Sequence, residues 1–210
     1  MTSVAEAPIL PPGHPVPYRF TAEQSLNMAK AAIFGHEDKL ELIHGVLFRK
    51  PWLTPPDCYA ITSLLNILHD ACLKKWVVRT QSHIVSSDDG IPSPDVSVAQ
   101  GSIDDYREFF PTAAQTVLVV EVSGSSSAFD LGVKLALYAA AMIPEYWVVD
   151  LPGQRLHVHT LPRVGDTPCY RSVAILGIDD EVPLTLRGEP FGSIRVGGFL
   201  PPLPSRGVPS

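Results

Sequence analysis

Residues 116–122 read Thr-Val-Leu-Val-Val-Glu-Val, and no other stretch constrains the fold as much. An unbroken run of β-formers belongs to a strand covered on both faces, the usual state of a central strand in a layered α/β domain. The following residues agree. After a loop at 123–127, residues 128–142 are rich in Ala and Leu and predict a helix. Pro144 ends it, and 146–149 reads as the next strand. Strand, helix, strand in that order requires a right-handed crossover and at least one parallel pair. Shorter segments near 155–160, 170–175 and 182–186 predict antiparallel strands. The expected class is therefore α/β, a mixed β-sheet flanked by α-helices.

The first half supplies the flanking pieces. Thr21 with Gln24 three residues on is an N-terminal capping pattern, and Ala, Leu, Met and Lys carry a helix over 21–34 to Gly35. Residues 40–48 hold β-prone side chains around Gly45, which predicts a strand or hairpin. Pro55 and Pro56 open a second helix over 57–74, where Ile61, Leu64, Leu65, Leu68 and Cys72 repeat at helical spacing. Residues 76–79 and 94–99 read as strands, with a turn at Asp88-Asp89-Gly90 between them.

Length and composition set bounds. A chain of 210 residues, 45% hydrophobic and 18% charged, suits one domain with a sizeable core. We divide it into a proline-rich arm (1–18), a single domain (19–199) and a proline-rich tail (200–210). The longest apolar stretches fall short of the ~20 residues of a membrane helix, and no secretory signal is visible, so a cytoplasmic protein is expected. Cys58, Cys72 and Cys169 form no C-x-x-C pair and read as buried, reduced thiols. The net charge of −6 argues against a general affinity for nucleic acid, which needs clustered Lys and Arg.

Two acids carry the chemistry. Glu121 sits inside the apolar run, where an ionised carboxylate needs a cation, a metal or several donors, unless water reaches the strand's end. Asp95 follows Pro94 at the start of another strand, a position that a turn-initiating Asp also favours. Carboxylates at the ends of neighbouring strands can converge on Mg²⁺, which takes one or two of them and fills its shell with water and phosphate oxygen. Asp130, Lys134 and Tyr138 recur every four residues on the next helix. Lys134 is a candidate to orient water. For Asp130 the simpler readings are a cap with Ser127 or a surface ion pair with Lys134. Glu41 is a candidate third acid or an exposed edge residue. His157 and His159 share a strand face and read most simply as surface residues. Neither a G-x-S-x-G elbow nor a nucleotide-binding glycine loop occurs.

The order of these motifs resembles the Uma-two family of bacterial endonucleases. It runs Glu41-Leu-Ile-His-Gly45, Pro94-Asp95-Val96, Val119-Val120-Glu121-Val122-Ser123, Asp130-x-x-x-Lys134-x-x-x-Tyr138 and Glu145-Tyr146-Trp147-Val148-Val149-Asp150, over residues 20–190. The resemblance implies a restriction-endonuclease-like fold of the PD-(D/E)XK superfamily. It implies Asp95, Glu121 and the carbonyl of Val122 as ligands of Mg²⁺ or Mn²⁺, with Glu41 as an accessory acid. The superfamily's lysine falls two residues after the second acid, where this chain has Ser123, and Lys134 looks like its migrated replacement. Where the family often has histidine near the start of the second helix, this chain has Cys58. Gln81, Ser123, Asp130 and Tyr138 complete the accessory candidates.

The expected activity is a metal-dependent endonuclease cutting phosphodiester bonds, of DNA first, with Lys134, Glu41, Glu121 and Asp95 as its catalytic set. A homodimer is expected by analogy with other nucleases of this fold. The alternatives are a non-catalytic module of the same fold that binds nucleic acid or protein, and a small-molecule hydrolase using the same metal site.

Overall fold

The computed structural model describes residues 16–35, 38–72 and 75–202. Most of the expected arm and tail lies outside these residues. Helix α1 spans Ala22–Lys30, and the Thr21–Gln24 capping box is formed reciprocally. The helix stops short of the expected 34, because Ala32 turns into positive φ. Strands β1 (Leu40–Ile43) and β2 (Val46–Arg49) form a hairpin. Its two-residue turn has positive φ at both His44 and Gly45, the type I′ arrangement that matches strand twist. A Cβ on Gly45 would lie 2.6 Å from that of Arg19, so glycine is required there twice over. Helix α2 spans Pro55–Ala71, with Pro at its first turn and the Asp57 carboxylate accepting the Thr54 N–H at 2.7 Å.

Strands β3 (Trp76–Thr80), β4 (Val96–Gln100), β5 (Thr116–Ser123), β6 (Glu145–Asp150), β7 (Arg155–Arg163) and β8 (Cys169–Gly177) form one six-stranded sheet in that order. Only β5 and β6 run parallel. The crossover helix expected over 128–142 is present over 127–140, with a π-turn inside it. It consists of α3 (Ser127–Phe129), a π-helical turn (Asp130–Lys134) and α4 (Leu135–Ala140). Strands β9 (Glu181–Leu186) and β10 (Glu189–Arg195) form a separate hairpin. The Gly-interrupted β10 was not expected from its sequence.

Every residue of β5 is buried, as its composition requires. Leu118, Val120 and Val122 pack with α2 residues Ile61, Leu64 and Leu68 and with the β9–β10 hairpin. Val119 points to the opposite face, against Tyr138, Ala139, Tyr146 and Val148. Period-two alternation therefore aims Glu121 at the α3–α4 side of the sheet. Two expectations fail. Cys58 is exposed, because it lies on the outer face of α2. His157 and His159 are buried, their rings stacked 6.4 Å apart and His159 lying against Tyr146 and Tyr170. No helix among the described residues is long and apolar enough to cross a membrane.

Candidate active site

Three pieces of backbone register bring the site together. In the antiparallel β4–β5 pair Val96 faces Val120, so one further step sets Asp95 against Glu121. The pairing is locked by the Val122 N–H, which donates to Asp95 Oδ2 at 2.9 Å. In the β1–β2 hairpin Glu41 faces Phe48. The Lys50 N–H then bonds the Lys39 carbonyl, so alternation puts Glu41, Phe48 and Lys50 on one face. The third piece is the π-helical turn, which carries Asp130 and Lys134 and leads into Tyr138. π-Turns recur at functional sites because the extra residue re-aims side chains.

Glu41, Asp95, Glu121, Asp130 and Lys134 are all buried, and they line a cavity of about 360 Å³. Lys134 Nζ sits 3.0 Å from Glu121 Oε1 and 3.1 Å from Glu41 Oε2. The Tyr138 hydroxyl donates to the same Glu121 Oε1 at 2.8 Å. Glu41 Oε2 also accepts the Ser93 N–H at 3.3 Å. Burial alone would lower the Lys134 pKa, yet Glu121, Glu41 and Asp130 hold it above the ordinary lysine value. Burial likewise opposes ionisation of Glu121, but Lys134 and Lys50 keep its pKa below the usual value. At Asp95, burial and the Glu121 charge outweigh Lys50 and raise the pKa.

Asp130 corrects two sequence expectations. Its Oδ2 accepts from the Ser126 hydroxyl at 2.5 Å, so it is no cap partner of Ser127. It is 3% exposed and among the described residues pairs with no cation, so it is no surface ion pair with Lys134. Burial, with the Glu121 charge adding, pushes its pKa up to about 7. Ser123 lies behind the site, its hydroxyl facing that of Ser126 at 3.4 Å. Gln81 faces a second cavity and touches the site through its backbone N–H, which bonds the Asp95 carbonyl at 3.1 Å. Val122 meets the site through its N–H.

Lys50 is the residue that motif spacing missed. Its Nζ donates to the Ser93 carbonyl at 2.6 Å and to Asp95 Oδ1 at 2.9 Å, and lies 3.8 Å from Glu121 Oε2. Burial would lower its pKa, but Glu121 and Asp95 raise it. The hairpin register was the signal that could have found it: counting outward from Glu41 opposite Phe48 reaches Lys50 on the same face.

The Lys50 ammonium also marks where a cation fits. Asp95 gives one oxygen to Val122 and Glu121 gives one to Lys134 and Tyr138, while the remaining oxygens, Oδ1 and Oε2, both turn to Lys50. Among the described residues no three His, Cys, Asp or Glu side chains gather as ligands of a metal. Two carboxylates with room for water suit a hard ion such as Mg²⁺ or Mn²⁺ rather than Zn²⁺ or Cu²⁺, which would draw on His or Cys.

A family model described as "Putative restriction endonuclease", Uma2, matches residues 22–189. Among solved structures, one described as "a putative nuclease belonging to DUF820" from Anabaena variabilis superposes with a TM-score of 0.61. The superposition covers 79% of this chain and 89% of that one at 14% identity, which establishes a shared fold. No curated protein matches the chain.

Proposed function

The chain belongs to the Uma2 restriction-endonuclease-like family, and on that premise we propose that it is a divalent-metal-dependent endonuclease acting on DNA. One observation carries the reading: Asp95 Oδ1 and Glu121 Oε2 turn to a single cationic point on the wall of an open cavity. Asp95 and Glu121 would hold Mg²⁺ or Mn²⁺ there, and Val122 is proposed to add its carbonyl. The ion would supply a more acidic water and a counter-charge for the phosphate.

The chain's own groups do the rest. Lys134 and Tyr138 fix the Glu121 carboxylate in one orientation, so its second oxygen stays aimed at the point that Lys50 occupies. Lys134 would use its positive charge to orient the attacking water. Glu41 holds Lys134 from the other side and keeps it ionised. Asp130, with a pKa near neutrality, is a group able to exchange a proton with solvent at working pH. Gln81 is proposed to contact substrate from the adjoining cavity, and Ser123 to brace the loop that carries Ser126 and Asp130. Duplex cleavage would call for two copies. Strand β8, at the sheet's edge with Val173 and Ile175 more than half exposed, is the candidate contact.

The test of metal dependence is thermal. Mg²⁺ or Mn²⁺ should raise the melting temperature of the wild type, and Asp95→Asn should remove that rise. A melting temperature indifferent to both ions in the wild type would defeat the reading. The non-catalytic alternative draws on the same pair of acids, which Lys50 already bridges. Retention of DNA by Asp95→Asn, Glu121→Gln without any cleavage by the wild type would favour it.

A further inference from the structure

The site contains two lysines that differ in one respect. Lys134 is 3% exposed, enclosed between Glu41 and Glu121, and capped by the Phe129 ring 6.0 Å from its Nζ. Lys50 approaches the acids from the segment joining β2 to α2, and its side chain is 12% exposed. Lys50 and Pro51 line both the 360 Å³ cavity and a second one of about 410 Å³. Lys50 is thus part of the wall between two spaces and has room to move into either. Lys134 has none.

The oxygens are divided in the same way. Asp95 Oδ2 and Glu121 Oε1 are tied to fixed groups of the fold, the Val122 N–H, Lys134 and Tyr138. Asp95 Oδ1 and Glu121 Oε2 face Lys50. Without a cation at that point two buried carboxylates would confront each other, which is costly in a poorly solvated site. A divalent ion held by those two oxygens would repel an ammonium at the same seat, so the two cations compete for it.

We infer that Lys50 is the resident counter-cation of this seat, exchanged for the divalent ion when one binds. The inference rests on the metal-dependent reading above. Lys50 holds Asp95 and Glu121 at their spacing in the metal-free protein, and its retreat towards the second cavity opens the seat. Metal affinity is therefore set by a competition within the chain. The protein keeps a preformed site at the cost of weaker metal binding.

The experiment measures Mn²⁺ affinity of the full chain by the paramagnetic resonance of free Mn²⁺, with no substrate present. Lys50→Met should bind Mn²⁺ at least about tenfold more tightly than wild type, because the competing charge is gone. Lys50→Arg, which keeps the charge, should stay near wild type, and Asp95→Asn should lose binding. Lys50→Gln provides a second neutral variant and should fall with Lys50→Met. A Lys50→Met protein that unfolds without metal and is restored by Mn²⁺ would agree with the inference. Equal or weaker affinity in both neutral variants, with binding still abolished by Asp95→Asn, would overturn the inference and leave the metal site standing. Absence of Mn²⁺ binding in every protein would overturn both.

Discussion

Lys134 Nζ stands 3.0 Å from Glu121 and 3.1 Å from Glu41, and all three side chains are almost wholly withdrawn from solvent. Removing the cation leaves two buried acids with no shared partner. Lys134→Met should cost about 3–5 kcal/mol of stability, measured by urea unfolding. Glu41→Gln added to it should recover part of the loss, because the two sites share a charge. A Lys134→Met protein as stable as wild type would contradict the ion-pair geometry.

Tyr138 tests the orientation of Glu121 separately from its charge. Tyr138→Phe removes one hydroxyl that donates to a buried carboxylate, which should cost about 1.5–3 kcal/mol. Cleavage should fall with it while Mn²⁺ still binds, since Lys134 continues to hold Oε1. Loss of Mn²⁺ binding would give Tyr138 a larger part than this arrangement allows.

Trp52 is 86% exposed and lines the mouth of the cavity beside Arg49 and Lys50. An indole in that position is a stacking surface for an unpaired base. Trp52→Ala should weaken single-stranded DNA binding by about 1–3 kcal/mol, read by fluorescence anisotropy, and Trp52→Phe should retain most of the affinity. Equal binding by all three proteins would remove Trp52 from the substrate path.

His159 predicts a dependence of stability on pH. It is buried, and neither ring nitrogen has a hydrogen-bond partner. Burial, with His157 adding, lowers its pKa to about 4, whereas an unfolded histidine titrates near 6.5. Between those values the unfolded chain takes up a proton that the folded chain refuses. Its contribution is therefore intact above pH 6.5 and lost progressively as pH falls towards 4, by at most about 3 kcal/mol. Urea unfolding at pH 7 and pH 4.5 should show His159→Leu losing less stability than wild type. Equal losses would refute the assignment.

Much of this molecule was legible beforehand, and for physical reasons. The apolar run of β5 can be satisfied only in the middle of a sheet, and the Thr21–Gln24 cap and the Gly45 turn are local devices that act without tertiary help. The acids Asp95 and Glu121 stood out because charge is costly in such strands. What was not legible depended on register and packing. Lys50 enters the site because of where the hairpin turns. The π-turn leaves residues 128–142 looking like an ordinary helix, since Ala and Leu favour both. The burial of His157 and His159 follows from the tyrosines of β6 and β8, which no local pattern announces.

The central claim is that Asp95 and Glu121 form the working site of a nuclease. It is tested most directly by incubating DNA and RNA with Mn²⁺ and either wild type or Glu121→Gln, following cleavage on denaturing gels. Wild type should cut DNA, chelation should stop it, and Glu121→Gln should be inactive though folded. Cutting that persists in Glu121→Gln, or a wild type that cuts neither polymer with Mn²⁺ bound, would contradict the account.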